Sequence, residues 1–380
     1  MSKKAIVIVI DGCAHEYLEQ GVTKNISELG KRGFFKNVKS ALPSVTNVNH
    51  ATILTGSLPI EHQVTGNYFY NPETEEQGFI DGKGFLDKET ILDVYAKQGN
   101  STALLVVKGK VLQVFGDNVG FGLSAEHPDE NLVKYLDMEM PPYVATPEAN
   151  GWIMEACYNL IRKDNPDFIY CTTNDYTMHN YNPDHEIAKK QMESIDYWIG
   201  KIYELDPDRE IYITADHGMT TKTLLIDLQK KMDNTSFDTV CMLPLKDRYL
   251  ENHLYQEGCA VYVYAKDQSQ KDDIYKHLKS YSFIESIYTR EEAMDQLGLP
   301  GNRIGDFVIF GTKEVAFGEL EDEELAVTVR THGSKFEQDI PLIAVNARRE
   351  ASEYKRHFDV VRYMFEDLNI SADQDLNLVK

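Results

Sequence analysis

Hydrophobic and polar positions along this chain alternate between short apolar runs and longer amphipathic stretches. Residues 5–10 (AIVIVI), 102–107 (TALLVV), 167–171 (DFIYC) and 210–214 (EIYIT) are runs of strand length. Runs apolar on both sides of the pleat predict strands covered on both faces. Helices are expected around residues 25–31, 46–55 and 184–205, and from Thr146-Pro147-Glu148 to Lys163, where proline at the first helical position is a strong start signal. The helix at 184–205 is the clearest, with Ala188, Met192, Ile195, Ile199 and Ile202 on one stripe. A short strand at 34–38, a final core strand at 341–345 and a helix near 354–368 complete the series. Strands alternating with helices predict an α/β fold with a doubly wound, mostly parallel sheet.

After Lys246 the rhythm becomes smaller. Strands are expected at 260–264, 284–288 and 307–310, with helices at 268–279 and 290–297. This reads as a compact α/β cap insert. The expected organisation is a catalytic core from 1–246, a cap from 247–318, and a return to the core over 319–380. NYFYNPETEE (67–76) reads as a turn-rich loop, and the acidic stretch 319–324 as a solvated one.

Composition changes the picture in three places. At 380 residues, 42% hydrophobic and 26% charged, the chain is an ordinary globular protein of two domains or one domain with an insertion. A net charge of −22 argues against a nucleic-acid polymer as partner, because such binding rests on neutralising phosphates with Lys and Arg. A small anion can still bind if metals supply local positive charge. The apolar run at 5–10 is too short for a signal-peptide core and runs into Asp11-Gly12, and no run reaches the length of a membrane span. The five cysteines show no CxxC pair, which suits reduced thiols and a cytoplasmic location.

The candidate chemistry centres on residues 41–67, ALPSVTNVNHATILTGSLPIEHQVTGN. Pro43 favours an extended approach, a helix fits 46–55, and Gly56 followed by Pro59 ends it. Thr46 then sits at a helix N-terminus, where free N–H groups favour negative charge. Its hydroxyl is either a plain N-cap or a nucleophile whose alkoxide and phosphoryl target share that helix end. Asp11, Asp175 and Asp216 each lie just past an expected strand end, the place where open α/β sheets bind ligands. Any one of them alone could be a helix N-cap. His217 adjoins Asp216, His179 follows Asp175 at helical i+4 spacing, and His332 returns after the insert. Jointly they form a mixed oxygen and nitrogen donor set typical of zinc. Two ions about 3.5–4 Å apart could clamp an in-line displacement. Of the 11 histidines, His15, His50, His62, His127, His185, His253, His277 and His357 carry no assignment.

With DG at Asp11, LPSVTN around Thr46, DYTMH ending at His179, ADHGM from Ala215 and RTHG around His332, the chain resembles the alkaline phosphatase superfamily. Within it, the nucleotide pyrophosphatase/phosphodiesterase-like branch is closest, and the phosphonoacetate hydrolase family is similar over nearly the whole length. NYFYNPETEE, CMLPLKD, GLPGNRIGD and RTHGSKFEQDIP match that family in kind and order. The resemblance implies two divalent metal ions, taken as Zn2+. Asp11, Thr46, Asp216 and His217 would hold one, and Asp175, His179 and His332 the other. It further implies Thr46 as nucleophile and Asn67 on a non-bridging phosphoryl oxygen. Lys108 and Lys110 would receive the substrate carboxylate; without the resemblance they read equally as a solvated loop after a strand. Val48 and His50 depart from the family's TNPNN, as does Gly109 between the lysines.

The implied reaction is cleavage of the C–P bond of phosphonoacetate, a small anionic phosphorus-containing substrate, to acetate and phosphate through a phosphothreonine. Competing expectations are a nucleotide pyrophosphatase/phosphodiesterase, with Tyr68, Phe69 and Tyr70 as a base-stacking slot, and a non-catalytic metal-containing binding module. A mutase or sulfatase of the superfamily ranks lower, since sulfatases use a modified cysteine or serine in place of Thr46. A homodimer and the absence of a membrane partner are further expectations.

Overall fold

A computed structural model describes residues 3–368, so the last part of the expected core return, 369–380, lies outside the described residues. At its centre is a seven-stranded sheet in the order Phe34–Lys39, Asp339–Val345, Glu210–Thr214, Ala5–Val9, Phe168–Thr172, Thr102–Val106, Phe121–Ser124. Asp339–Val345 runs antiparallel to both neighbours, and the remaining pairings are parallel. This is the mostly parallel sheet that the alternation predicts. Every residue of the four middle strands Glu210–Thr214, Ala5–Val9, Phe168–Thr172 and Thr102–Val106 is buried, which is why their sequences read as unbroken apolar runs. Fully burying one valine or isoleucine there contributes about 1.5–3 kcal/mol. An aspartate at Ile8 would replace that gain with an unpaired buried charge.

Helices Pro147–Lys163 and Glu186–Leu205 pack on each other, and Thr46–Thr55 packs on Asp359–Asp367. Thr46–Thr55 matches the expected bounds, and Gly56 stops it in the left-handed conformation at φ +61°. The terminal helix is shorter than the expected 354–368. The Asp359 carboxylate accepts hydrogen bonds from the backbone N–H groups of Lys355 (2.6 Å) and Arg356 (2.9 Å), holding that stretch in a turn ahead of the helix.

A second, four-stranded antiparallel sheet runs in the order Thr239–Met242, Ala260–Ala265, Phe307–Gly311, Ile284–Thr289, with helices Lys271–Lys279 and Arg290–Leu297 in its connections. Its first strand lies upstream of residue 247. Between the two sheets in sequence comes a three-stranded ribbon of Val315–Phe317, Thr220–Ile226 and Glu324–Thr331, which the reading of the sequence did not anticipate. Glu324–Thr331 (ELAVTVRT) alternates: Leu325, Val327 and Val329 pack on the cluster of Leu225, Cys259 and Ala316, while their neighbours face out. The expected loop at 67–76 contains half of a hairpin, Tyr68–Tyr70 paired with Gln77–Phe79. Among the described residues no helix is long and apolar enough to cross a membrane.

Candidate metal centre

The four middle strands are neighbours in the sheet, and their C-terminal ends deliver, in sheet order, Asp216 with His217, Asp11, Asp175 with His179, and Lys108 with Lys110. The Asp11-Gly12 turn makes this convergence possible. Gly12 sits at φ +71°, its N–H donates to Asp216 Oδ1 (3.1 Å), and a Cβ there would lie 3.1 Å from the Asp175 Cβ. Only glycine takes that conformation cheaply at so close an approach. The Asp11 N–H in turn donates to Thr173 Oγ1 at 2.9 Å.

Two groups of donor atoms result. Asp11, Asp216 and His217 form one, and Asp175, His179, His332 and His253 the other; within each group the atoms lie within 4.8 Å of one another. Three of the imidazoles are anchored alike. His217 Nδ1 lies 2.9 Å from Gly218 O, His179 Nδ1 2.6 Å from Arg330 O and His332 Nδ1 2.7 Å from Ser44 O. A carbonyl can only accept, so each Nδ1 carries the proton and each Nε2 keeps a lone pair, the arrangement characteristic of metal-ligating histidines. The His217 and His332 rings stack with centroids 3.4 Å apart, which brings the residue from beyond the insert onto the other group.

The donors fit divalent cations. Asp11 Oδ1, Asp216 Oδ2, His332 Nε2 and His253 Nδ1 are buried polar atoms without a protein hydrogen-bond partner. Each such orphan costs about 1–3 kcal/mol unless an ion or solvent meets it. Four buried carboxylates, Asp11, Asp175, Asp216 and Asp247, face two buried ammoniums, Lys108 and Lys110. Burial, aided by Asp175 and Asp216, pushes Asp11 well above the usual carboxylate range, and burial, aided by Asp175, raises Asp216 to about 6. Burial also pushes Asp175 up, but Lys108 and His179 outweigh it and hold that group well below the usual range. Burial and the neighbouring imidazoles keep His332 and His253 neutral, with their lone pairs available.

Thr46 is the first residue of its helix, and the N-cap position belongs to Val45, whose side chain makes no capping bond. The Thr46 hydroxyl instead points at His217 Nε2, 3.2 Å away. Asp175 does occupy an N-cap position, before the short helix Tyr176–Asn180, yet its side chain makes no capping bond and turns into the centre. Asn67 accepts from the Asn47 N–H (3.0 Å) at the start of the Thr46 helix and donates to Asp247 Oδ2 (2.9 Å).

Neither lysine lies in a solvated loop. Lys108 precedes the helix Gly109–Phe115, Lys110 lies within it, and both are buried. The Lys108 ammonium bridges the two donor groups, 2.9 Å from Asp11 Oδ2 and 2.6 Å from Asp175 Oδ1. Burial works against its charge, but Asp11, Asp175 and Asp247 raise its pKa well above the ordinary lysine value. Lys110 pairs with Asp247, so Asn67 and Lys110 meet on one carboxylate.

Asp247 and His253 are residues that the sequence reading passed over, together with Asn252, whose amide donates to Asp175 Oδ1 at 2.7 Å. All three belong to the irregular segment between Thr239–Met242 and Ala260–Ala265, where no periodicity marks them. CMLPLKD ends at Asp247, and that was the one available signal.

The departures from the family pattern are accommodated. Val48 packs with Ala41, Val45 and Leu245, and His50 Nδ1 is 2.7 Å from the Tyr170 hydroxyl. A Cβ at Gly109 would lie 2.9 Å from both Glu126 Oε2 and the His127 ring, so the glycine lets those side chains close over the lysine turn. The rings of Tyr68, Phe69 and Tyr70 contact Phe79, Phe85 and Tyr264 respectively. A cavity of about 580 Å³ opens beside Lys108, walled by Tyr143, Tyr176, Arg248 and Tyr249.

A family model described as type I phosphodiesterase / nucleotide pyrophosphatase matches residues 5–335. The crystal structure of phosphonoacetate hydrolase from Sinorhizobium meliloti 1021 in complex with phosphonoformate is similar at a TM-score of 0.86 and 28% identity, over 95% of this chain and 94% of that one. Murine ectonucleotide pyrophosphatase/phosphodiesterase 5 in complex with AMP gives a TM-score of 0.72 at 16% identity over 98% and 96% of the two chains, a likeness of fold alone. An uncharacterized pyrophosphatase/phosphodiesterase of Schizosaccharomyces pombe is 25% identical over 56% of this chain and 44% of its own length. The chain spans about half or less of the length of the first curated relatives it matches.

Proposed function

The chain belongs to the type I phosphodiesterase / nucleotide pyrophosphatase family, and from that premise we propose that it is a metal-dependent hydrolase cleaving the C–P bond of phosphonoacetate. The observation that carries the reading is the Thr46 hydroxyl at 3.2 Å from His217, beside two donor groups bridged by the buried Lys108 ammonium. Asp11, Thr46, Asp216 and His217 would hold one cation, and Asp175, His179 and His332 the other. When bound, two divalent cations, zinc by the mixed donor set, supply the positive charge that eases ionisation of a hydroxyl and neutralises phosphoryl oxygens.

The chain's own residues do the rest. Thr46 Oγ forms a bond to phosphorus as the C–P bond breaks, and its proton passes to solvent. The electron pair leaves on the methylene carbon, delocalises into the adjacent carboxylate and is quenched by a proton from water, giving acetate. Water then cleaves the phosphothreonine, releasing phosphate and restoring Thr46. A carbanion is hard to expel, and Lys108 and Lys110 would stabilise it through the carboxylate that shares its charge. Lys108, which pairs with Asp11 and Asp175, would be free to meet the substrate once each of those carboxylates holds its own cation. Asn67 would hold a non-bridging phosphoryl oxygen.

The tyrosine-walled cavity beside Lys108 favours a second reading, a phosphodiesterase or nucleotide pyrophosphatase that stacks a base there. Phosphate release from phosphonoacetate, compared with cleavage of a nitrophenyl phosphodiester on zinc-loaded protein, separates the two. Thr46→Ala is the control. If Lys108→Ala impairs both substrates equally, the carboxylate role is wrong.

A further inference from the structure

His253 enters the second donor group from outside the sheet edge that builds the rest of the centre. Asp175 and His179 follow a central strand, and His332 follows the ribbon strand Glu324–Thr331. His253 comes instead from the irregular segment that leaves the four-stranded sheet at Met242 and rejoins it at Ala260. Its ring meets the His179 ring edge-on, with centroids 4.4 Å apart, and lies 5.9 Å from the His332 ring. The side chain is buried and its Nδ1 has no hydrogen-bond partner, while one of its ring nitrogens is within 4.8 Å of the donors of Asp175, His179 and His332.

The buried His50 and His357 each leave one ring nitrogen unmet but are held through the other, on Tyr170 and Asn49, whereas no such bond holds the His253 ring. The three imidazoles make no hydrogen bond to one another, and the one polar contact inside the group is His179 Nε2 at 3.3 Å from Asp175 Oδ2. A cation at their centre satisfies them at once. The two groups also differ in charge. Asp11 and Asp216 cancel both charges of a divalent ion, whereas Asp175 with three neutral imidazoles leaves one positive charge, which suits the ion that meets an anion.

We propose that His253 is a fourth protein ligand to the cation held by Asp175, His179 and His332, tying the segment that carries Asp247, Asn252 and His253 to the metal centre. The inference rests on the two-cation reading above and adds a ligand to it. Four protein donors would close the second site until it took a fifth ligand or His253 let go. Seating of this segment and admission of substrate are thereby coupled at one bond. The same segment places Asp247 on Lys110 and Asn67, so its release would also free the ammonium and the amide.

The test is cobalt titration of the metal-stripped full chain, followed by visible absorption, with wild type, His253→Ala and His253→Gln. Wild type should take two equivalents, the first at the Asp11 group and the second at the His253 group, each with the strong absorption of a four-coordinate site. His253→Ala should keep the first equivalent unchanged, which also reports a folded centre. It should bind the second at least ~10-fold more weakly, the loss that even an outer partner of a ligand causes. Its spectrum should weaken as solvent replaces the imidazole and coordination rises. His253→Gln, which can hydrogen-bond but binds metals poorly, should behave like His253→Ala, and it serves in its place if the smaller side chain unfolds the segment. Wild type that takes no second equivalent overturns the two-cation reading itself. Two equivalents in wild type, with unchanged affinity and spectrum in both variants, overturn the His253 ligand alone.

Discussion

The Thr46 hydroxyl lies 3.2 Å from His217 Nε2 while Val45 takes the cap position of the Thr46 helix. The side chain therefore contributes nothing to ending that helix, and its one polar partner belongs to the donor group. Structure and chemistry are separable here. Thr46→Ala should lose at least ~10³-fold in kcat/KM, the upper range for removing one group that acts only on the transition state. Its stability should change by only ~1 kcal/mol, the net worth of one hydrogen bond. Steady-state kinetics and urea unfolding of the same preparation check this. Activity within tenfold of wild type would remove Thr46 from the chemistry.

Lys110 and Asp247 are paired with side chains 2% and 5% exposed. Removing one partner of a buried pair leaves an uncompensated charge, so Lys110→Met should destabilise the protein by about 3–5 kcal/mol. Lys110→Met combined with Asp247→Asn removes both charges and leaves an oxygen for the Asn67 amide, which now donates to Asp247 Oδ2 at 2.9 Å. The double variant should recover most of the stability. It should not recover turnover of a carboxylated phosphonate, because the ammonium is gone. Recovery of both would mean that Lys110 serves only the fold.

These two pairs mark how far the sequence was legible. Asp11, Asp175 and Asp216 could be read because each follows an apolar run that itself announces a strand, and sheet geometry then places all three at one edge. Thr46 has two readings in the sequence, cap or nucleophile, and the structure gives the cap position to Val45. Lys108 and Lys110 looked equally like a solvated loop because burial of a charged side chain leaves no trace in a local pattern; it depends on carboxylates 67 to 137 positions away in the chain. Asp247 and His253 were missed for a related reason. The segment between Met242 and Ala260 follows neither helical nor strand periodicity, so its side-chain directions are set by tertiary packing alone. The ribbon of Thr220–Ile226 and Glu324–Thr331 was readable in principle, since ELAVTVRT alternates, but its charged ends resemble a loop.

His62 and His357 are fully buried, lie outside both donor groups and are held at about 3, in each case chiefly by burial. His62 Nδ1 accepts from the Val64 N–H (3.2 Å) and its Nε2 meets Thr52 Oγ1 (3.0 Å), while His357 Nε2 lies 2.8 Å from Asn49 Oδ1. His62 is thus satisfied at both nitrogens as a neutral ring, while His357 keeps its Nδ1 without a partner. In the unfolded chain a histidine titrates near 6.5, so the stability these rings contribute is complete above about pH 6.5 and falls as acid protonates the unfolded state, down towards pH 3. Each should cost on the order of 1 kcal/mol per pH unit across that window. Urea unfolding at pH 7, 6 and 5 should show the decline. His357→Gln should flatten its slope by about one proton, and an unchanged slope would contradict the assignment.

Metal removal makes the strongest demand on the centre. Stripped of cations, the protein buries the orphaned Asp11 Oδ1, Asp216 Oδ2 and His332 Nε2 and carries four buried carboxylates against two ammoniums. Cations that bind the folded state alone should stabilise it by about 2.7 kcal/mol per site at one hundred times the dissociation constant. A chelator at pH 7.5 should therefore lower the melting temperature, and zinc should restore it. The gap should also depend on pH in a defined sense. In the stripped protein Asp216 is raised to about 6, so the stability gained by protonating it is fully present below about pH 4 and is lost as pH rises through 6. Protons and cations thus compete for Asp216 on the acid side, and the difference between stripped and loaded protein should narrow as pH falls from 7.5 to 5. Melting curves with and without chelator across that range decide it. A chelator without effect at pH 7.5 would leave the orphaned atoms to solvent and the two donor groups without cations.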